Sequence, residues 1–310
     1  MQRSVMKWDD LRVFLAVARQ SGLQAAGRVL GLDPATVSRR VSALEAALGS
    51  KLFDRSPQGY ALTEAGRSLL LHAQAMENIA MAAEEEAGGG FDALSGQVRI
   101  GAPDGVSNYL LVDACDALSR DNPALQVQVV ALPRLFSLSK READLAITVS
   151  PPTAGRLTVR KIADYQLHLY ARADLLLGRG TIRTIDDLEG LRGIGYISDM
   201  IFDKELDYYA LLGRTAEPSL TSNSLIMQLR WCLKGCGLCI LPDFVAREYP
   251  ELTRVLAEDV RLSRSFYLVR HQDDARVARI NRMAEVVVDW MREALQRSRD
   301  AAPLPAPARP

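Results

Sequence analysis

The sequence predicts a multidomain α/β protein with three successive parts. As far as Leu48 the apolar residues recur every three or four positions, which is the period of an amphipathic helix. A longer segment with small apolar residues then runs to the three glycines at positions 88–90. From Gln97 onward, apolar runs of strand length alternate with amphipathic helices, a pattern typical of a mainly parallel sheet. With 310 residues, the chain is long enough for two or three domains.

The first part is predicted to contain three helices and a two-stranded wing. The core-facing residues at helical spacing are Leu11, Phe14, Leu15 and Ala18 in the first helix, Leu23, Ala26 and Leu30 in the second, and Val37, Val41, Leu44 and Leu48 in the third. Gly31 ends the second helix, Asp33 can cap the third, and Pro34 suits its first position because no N–H donor is needed there. The turn at residues 57–59 then predicts a wing.

The outward face of the third helix is short, polar and basic, as a surface that reads the DNA major groove must be. It carries Pro34, Ala35, Thr36, Ser38, Arg39 and Ser42. The whole chain has a formal net charge of +0, but residues 1–67 hold ten basic and six acidic side chains, a local net charge of +4. This local excess favours a DNA-binding function.

A long stretch of this part resembles, nearly residue for residue, the N-terminal domain of the LysR-type transcriptional regulators. The stretch is residues 9–66, DDLRVFLAVARQSGLQAAGRVLGLDPATVSRRVSALEAALGSKLFDRSPQGYALTEAG. The matching spacings are those of Ala25-Ala26, Ser38-Arg39, Leu44-Glu45, Leu48-Gly49, Leu52-Phe53, Arg55 and Thr63 to Gly66. The resemblance continues more loosely to about Arg297.

One departure from the family pattern falls on the residues that read DNA. Family members commonly have Ser-Gln-Pro-Ala where this chain has Asp33-Pro34-Ala35-Thr36, and the family's Gln is a usual base contact. Pro34 cannot make that hydrogen bond. We expect base contacts from Thr36, Ser38 and Arg39. Phosphate or minor-groove contacts are expected from Arg40, Lys51 and Arg55.

The segment after Thr63 is predicted to be a long helix that joins two subunits. Its seam consists of Leu69, Ala73, Met76, Ala80 and Ala83, at heptad-like spacings of four and three. A helix packed on its own domain would show a similar pattern. We favour a dimer because glycines 88–90 break the helix before a new domain, and two reading helices suit a dyad-symmetric operator.

The C-terminal part is predicted to contain two sets of βαβ units. Strands are predicted at 98–102, 127–131, 145–149, 166–172, 193–197, 219–221, 238–241 and 266–270, with helices near 110–118, 185–188, 224–234, 243–247 and 276–297. By resemblance this is an effector domain of two lobes with a type 2 periplasmic-binding-protein fold and a cleft between them.

These patterns predict four segments along the chain. They are a winged helix-turn-helix domain at 1–66, a linker and dimerisation helix at 67–90, an effector-binding domain at 91–297, and a disordered tail rich in Pro and Ala at 298–310. Lobe I is expected at about 95–162 and 266–297, and lobe II at about 163–265.

Small ligands bind between α/β lobes at strand ends and helix N-termini. The matching positions are Asp104, Gly105, Val106, Ser107, Pro133, Arg134, Ser198, Asp199, Ser222 and Asn223. Ser107, Ser222 and Asn223 also suit the simpler role of helix N-caps. Arg134 would help to hold a carboxylate, whereas Asp104 in the cleft would favour an amine-bearing or neutral effector.

Three cysteines, Cys232, Cys236 and Cys239, are close enough in sequence to suggest a metal or redox site. They are predicted to diverge on a helix, a turn and a strand, and to serve as small core residues. A thiol-based redox sensor on the same scaffold is the alternative function.

No nucleophile motif, phosphate loop or metal-ligand pattern accompanies the three histidines, so we expect no catalytic residues, cofactor or metal. The expected partners are double-stranded DNA with a dyad-symmetric operator, a small-molecule effector, a second or further copies in a dimer or tetramer, and RNA polymerase if the protein activates. Without a signal peptide or membrane span, we expect a cytoplasmic protein.

Overall fold

The computed structural model describes residues 6–56, 59–88, 94–131, 143–178, 182–201, 203–208, 218–272, 274 and 277–300. The chain divides into two compact units, residues 1–91 and residues 92–310. None of the helices in these ranges combines the length and the apolar character needed to cross a membrane. The predicted wing-turn residues Pro57 and Gln58, the cleft residues Pro133 and Arg134, and the tail at 301–310 lie outside the described residues.

The first unit has the predicted helices and wing. Its elements are α1 Trp8–Gln20, α2 Leu23–Leu30, α3 Pro34–Leu48, β1 Phe53–Ser56, β2 Gly59–Leu62 and α4 Glu64–Gly88. Strands β1 and β2 pair antiparallel. Asp33 caps α3 by accepting a hydrogen bond from Thr36 N at 2.8 Å, and Pro34 is its first residue. The predicted helix-turn-helix and wing are therefore confirmed.

A single apolar core holds these elements together. Leu11, Phe14, Val37 and Val41 are at most 1% exposed, so the predicted inner faces of α1 and α3 are confirmed. Phe53 of the wing packs on Phe14 with ring centroids 5.3 Å apart. The prediction for Leu48 was wrong: this last residue of α3 is 39% exposed.

The second unit is built on one nine-stranded mixed sheet. Its strands are β3 Gly96–Ala102, β4 Leu125–Ala131, β5 Leu145–Thr148, β6 Leu157–Arg172, β7 Gly193–Gly195, β8 Pro218–Thr221, β9 Leu238–Pro242, β10 Leu252–Val255 and β11 Arg261–His271. The spatial order is β4-β3-β5-β11-β6-β9-β7-β8, and β10 pairs with the end of β6. The pairs β3–β4, β3–β5, β7–β8 and β7–β9 are parallel, as the alternating pattern predicts.

The helices of this unit are α5 Asp104–Tyr109, α6 Val112–Asp121, α7 Leu225–Leu233, α8 Asp243–Ala246 and α9 Ala278–Asp300. The helix predicted at 110–118 is present as α6 but begins two residues later, and the short helix α5 before it was not predicted. Leu110 and Leu111, both buried, form the bend between α5 and α6, so that the two short helices each turn an apolar side inward. The helix predicted near 185–188 is one turn of 3-10 helix, Asp186–Leu188.

Two long antiparallel strands, β6 and β11, run through the middle of the sheet. We call the elements on one side (β3, β4, β5, α5, α6 and α9) the first lobe, and those on the other side (β7, β8, β9, β10, α7 and α8) the second lobe. The β6–β11 register shifts between Phe266, opposite Ala163, and Tyr267, opposite Lys161, which leaves Ile162 as an extra residue. The Ile162 carbonyl accepts a hydrogen bond from Arg292 Nε of α9 at 2.9 Å. This β-bulge marks the passage from one lobe to the other.

A buried polar network fastens α8 to the sheet of the second lobe. Asp243 Oδ1 lies 2.7 Å from both His168 Nδ1 and the Tyr170 hydroxyl, and Asp243 Oδ2 accepts from Arg254 Nη2 at 2.7 Å. Both carboxylate oxygens of Asp243 therefore have partners, and the positive charge of Arg254 compensates its negative charge inside the lobe. His168, one of the three histidines in the sequence, thus has a structural partner.

Candidate functional site: a DNA-reading surface and an interlobe cleft

The start of α3 presents the predicted DNA-reading residues to solvent. Pro34, Ala35 and Arg39 are exposed, while Thr36 and Ser38 are partly exposed. The Arg39 side chain forms neither a hydrogen bond nor an ion pair with any other described residue, so its five N–H donors are available to DNA.

Thr36 has less freedom than the sequence suggests. Its hydroxyl donates to Asp33 Oδ2 at 2.7 Å, in addition to the 2.8 Å bond from its main-chain N–H to Oδ1. These hydrogen bonds, the side-chain bond first, hold the pKa of Asp33 below its ordinary value. In this arrangement the Thr36 hydroxyl proton is already donated to Asp33, so the hydroxyl is not free to donate to a base, whereas the methyl group is free of these bonds.

The three other basic residues have defined partners. Arg40 Nη1 lies 3.8 Å from Asp9 Oδ2 on α1. Lys51 Nζ lies 2.8 Å from Glu45 Oε2 and its side chain is 73% exposed. Arg55 Nη2 donates to Ser42 Oγ at 3.2 Å, and its guanidinium lies 5.6 Å from the centre of the Tyr60 ring. Each keeps further donors for phosphate groups.

Glu45 joins the reading helix to the wing. It is 4% exposed, and its Oε1 accepts from the main-chain N–H groups of Leu52 at 2.9 Å and Phe53 at 3.4 Å. Burial raises the pKa of Glu45, but the bonds from Lys51, Leu52 and Phe53 outweigh burial and hold it below its ordinary value. No role for Glu45 is predicted from the sequence, although an acidic residue at a core-facing helical position is a recognisable exception.

Some of the predicted dimerisation residues on α4 belong to the core of the first unit, and others are exposed to solvent. Ala73 is fully buried in the core of its own unit and Leu69 packs against that core, so Ala73 was wrongly predicted to face a second subunit. Met76 is 40% exposed, Ala80 is partly exposed and Ala83 is exposed. Ile79, which is 59% exposed, is not among the predicted dimerisation residues.

The second candidate site lies where the start of α5 in the first lobe meets the start of α7 in the second. Asp104 Oδ2 accepts from Ser224 Oγ at 2.7 Å and from Ile226 N at 3.4 Å, while its Oδ1 accepts from Gly105 N at 2.9 Å. A Cβ atom on Gly105 would lie 2.5 Å from Leu225 Cδ2. The two helix starts are therefore in close contact, and Asp104 bridges the lobes.

The remaining predicted effector residues have varied positions. Ser222 Oγ accepts from Ser224 N at 3.1 Å, and Asn223 is partly exposed beside it. Val106 and Ser107 are buried behind Asp104, and Ser198 and Asp199 are exposed on a 3-10 turn.

Two residues near Asp104 were not predicted. Ser224, rather than Ser222 or Asn223, caps α7, since its Oγ accepts from Met227 N at 3.3 Å. Tyr196 follows β7; burial first, and then the nearby charge of Asp104, raise the pKa of its hydroxyl. The sequence predicts a helix from residue 224, and a serine at a predicted helix start is the usual signal for an N-cap.

Two further contacts join the lobes. The Tyr109 and Tyr249 hydroxyls lie 2.7 Å apart, and Ser150 Oγ donates to Asp203 Oδ2. Burial, followed by the bond to Tyr249, raises the pKa of the Tyr109 hydroxyl. Together with the bond between Asp104 and Ser224, these contacts join the two lobes through polar side chains.

Three of the four cysteines lie in surroundings that disfavour an activated thiol. All four are free, and Cys232 and Cys239 are fully buried. Burial raises the pKa of Cys232 to about 12 and that of Cys115 to about 11, and it raises the pKa of Cys239 as well. The reactive thiolate is disfavoured at these three positions. No group of three or more His, Cys, Asp or Glu side chains within the described ranges has metal-binding geometry.

Comparison with known proteins identifies both units. Residues 8–67 match the model of the bacterial regulatory helix-turn-helix proteins of the lysR family, and residues 92–294 match the LysR substrate binding domain. The transcriptional regulator CrgA of Neisseria meningitidis serogroup C is 25% identical over 298 residues, covering 93% of this chain and 96% of CrgA.

One further relative is similar in sequence over half of the chain, and one solved structure is similar in fold. A probable hydrogen peroxide-inducible genes activator of Mycobacterium xenopi is 33% identical over 157 residues, half of this chain and 83% of the relative. The full-length OxyR C199D structure from Pseudomonas aeruginosa has the same fold, with a TM-score of 0.66 at 20% identity, covering 96% of this chain and 99% of OxyR. Because these two family models together cover most of the chain, the chain belongs to the LysR family of transcriptional regulators.

Proposed function

We propose that this regulator binds a dyad-symmetric operator as a homodimer or tetramer and changes transcription when a small molecule binds between its lobes. The observation that carries the DNA-binding half is the exposed Arg39 side chain of α3, which has no partner among the described residues, together with Lys51 just before β1 and Arg55 on β1. In this arrangement Arg39 reads a base and the other two contact phosphates. The proposal places the protein in the cytoplasm and assigns it no catalytic activity.

In this proposal, each segment predicted from the sequence has one role. Residues 1–66 read DNA, 67–90 join subunits, and 91–297 bind the effector. Within α4, the exposed apolar residues Met76, Ile79 and Ala83 are spaced by three and four, the spacing of a coiled-coil seam. Ile79→Glu is expected to shift the chain toward monomer in sedimentation velocity experiments. The exposed change His72→Glu on the same helix is the matched control.

The effector acts by changing the closure of the two lobes. Binding changes closure only if the effector prefers one arrangement over the other. A changed closure shifts the packing between subunits and thereby the spacing and bend of the DNA that paired reading helices hold. RNA polymerase is the further partner if the outcome is activation.

The experiment that tests this function is a footprint of the purified protein on the DNA upstream of its own gene, at several salt concentrations and with competitor DNA. A dyad-symmetric protected region that resists the competitor is the expected result. Protection without symmetry that disappears at modest salt would leave only non-specific phosphate binding and would refute specific regulation at that site.

A thiol-based redox response is the second candidate, because one relative is named as a peroxide-inducible activator. The raised pKa values of Cys115, Cys232 and Cys239 oppose it. Replacing Cys232, Cys236 and Cys239 together with Ser is expected to leave the footprint unchanged before and after peroxide treatment. A peroxide-dependent footprint that the triple replacement abolishes would establish the redox response instead.

A further inference from the structure

A cavity of about 590 Å³ lies on the second lobe and is separate from the contact between α5 and α7. Its walls come from β6, α8, β10, β11 and the end of α9. None of the described residues that were predicted to bind the effector lines it. Because small-molecule sites have volumes of roughly 300–1,000 Å³, this cavity is large enough to hold a ligand of its own.

His168 forms a buried part of the cavity wall and has one ring nitrogen without a partner among the described residues. Its side chain is 6% exposed, and its Nδ1 lies 2.7 Å from Asp243 Oδ1. Since a carboxylate accepts hydrogen bonds, the neutral ring carries its proton on Nδ1, and Nε2 is an acceptor. With Nδ1 turned to Asp243, Nε2 is the polar atom that the ring presents to the cavity. Buried polar atoms are as a rule hydrogen-bonded, so this nitrogen indicates a donor group in the cavity.

The described residues of the cavity wall carry an excess of positive charge. They include the four arginines Arg247, Arg254, Arg261 and Arg299, and the three acidic residues Asp164, Asp243 and Glu258. Two of the acidic residues have basic partners. Arg254 Nη2 lies 2.7 Å from Asp243 Oδ2, and Lys161 Nζ, from outside the lining, lies 2.6 Å from Asp164 Oδ1. Glu258 therefore opposes three arginines, and the field in the cavity attracts anions.

Arg261 lies next to His168 and keeps most of its donors. The two residues are paired across β11 and β6, so their side chains share one face of the sheet, and paired Cβ atoms lie roughly 4.5–5.5 Å apart. Arg261 is exposed; its Nε donates to Gln166 Oε1 at 3.3 Å, and its two Nη groups bond to no other described residue. These groups form the fork that matches a carboxylate or a phosphate. One small molecule can therefore contact Arg261 and His168 together.

We propose that this cavity is a second ligand site, which binds a small molecule that has both an oxyanion group and a hydroxyl group. The Nη groups of Arg261 hold the oxyanion, a carboxylate or a phosphate, and His168 Nε2 accepts a hydrogen bond from the hydroxyl. In a phosphate the hydroxyl is a protonated oxygen of the same group; in a hydroxy acid it is the alcohol. The site shares no described residue with the interlobe cleft and does not depend on the proposed effector response.

The test measures the binding of sodium phosphate and of sodium citrate to the full chain by isothermal titration calorimetry, with sodium chloride at equal ionic strength as the reference. Citrate supplies carboxylates and a hydroxyl, so the two probes distinguish the two kinds of oxyanion. Arg261→Gln is expected to raise the Kd of the bound probe about tenfold, because it removes hydrogen bonds between two charged groups. Arg183→Gln changes an exposed arginine outside the cavity lining and should keep the wild-type Kd.

The contact with His168 has its own test. His168→Asn should also raise the Kd, because the Asn amide can still donate to Asp243 while Nε2 is lost. A measurement that leaves the His168 network intact is the nitrogen chemical shift of Nε2 in the wild-type chain, which should change as the probe is added. Since the sequence has only three histidines, replacing His72 and His271 in turn identifies the His168 signal.

Three results would overturn the inference. The first is that neither probe binds the wild-type chain beyond the chloride reference. The second is an equal loss of binding in Arg183→Gln and Arg261→Gln, which would mean a general effect of net charge. The third is binding that leaves the Nε2 chemical shift of His168 unchanged, which would place the anion elsewhere. Binding of one probe alone would support the site and identify its oxyanion as a phosphate or a carboxylate.

Discussion

Replacing Glu45 with Ala is expected to destabilise the DNA-reading unit through the connection between α3 and the wing. The change removes the acceptor of two main-chain N–H groups, those of Leu52 and Phe53, which belong to residues 1% and 3% exposed. A buried donor left without a partner costs roughly 1–3 kcal/mol. The 2.9 Å bond to Leu52 carries most of this cost and the 3.4 Å bond to Phe53 adds less, so the expected loss is about 2–4 kcal/mol.

Lys51→Ala is the matched control for this prediction. It removes one charged partner of Glu45. The Lys51 side chain is 73% exposed, Glu45 keeps its two main-chain bonds and Arg55 Nη2 at 3.8 Å, and ion pairs of exposed lysines contribute only about 0–1 kcal/mol. In a unit of this size, about 1 kcal/mol shifts the melting temperature by roughly 4–8 °C. Scanning calorimetry should therefore show a shift of at least about 8 °C for Glu45→Ala and a small one for Lys51→Ala.

The contribution of Glu45 to the free energy of unfolding is expected to depend on pH. The pKa of Glu45 is lower in the folded chain than its ordinary value of 4.5, so its stabilising contribution is fully present above that value and is lost as the pH falls through the folded pKa. Amide hydrogen exchange of the segment 50–56 should increase in Glu45→Ala at neutral pH. Unchanged exchange there, together with an unchanged melting temperature, would show that the carboxylate does not hold the wing.

Three further substitutions test other parts of the molecule. Arg39→Ala should weaken specific operator binding by about 1–3 kcal/mol in filter binding or fluorescence anisotropy; an equal loss on random DNA would reduce Arg39 to a phosphate contact. Gly66→Ala should lower stability by roughly 1–3 kcal/mol or more, because its Cβ would lie 2.1 Å from the Leu52 carbonyl oxygen; a wild-type melting curve would contradict this close approach. Arg292→Ala removes the donor to the Ile162 carbonyl at the β-bulge and should cost about 1–2 kcal/mol in urea unfolding, whereas an unaltered unfolding midpoint would mean that water replaces the guanidinium without loss.

The sequence predicted the elements whose residues repeat with a clear period. Helices α1 and α3 follow from apolar spacings of three and four, and Asp33-Pro34 indicated where α3 begins. The buried strands β3 and β9 follow from short apolar runs. Strand β6 was predicted from 166 onward, but it begins at Leu157 because its first half is mostly exposed and lacks a continuous apolar run.

The candidate sites were predicted less completely, because they depend on contacts between distant residues. Asp104 was recognised as a cleft residue, but its bond to Ser224, 120 positions away, has no local signal. The burial of Ala73 likewise depends on how α4 packs on its unit, since one helix has two apolar sides and the spacing does not tell which of them meets a second subunit. Glu45 needed the wing strands in place before its role was visible.

The course of β6 and β11 sets a rule for exchanging effector lobes between relatives. Both strands belong to the two lobes at once, so a chimera must be joined within both, and side chains alternate between the faces of a strand. A junction misplaced by one residue would turn every following side chain to the opposite face of the sheet. The bulge at Ile162, opposite the step from Phe266 to Tyr267, already changes the register by one residue. A transplanted second lobe should therefore begin after Ile162 and end at Phe266, so that the donor and the recipient each keep their own side-chain pattern.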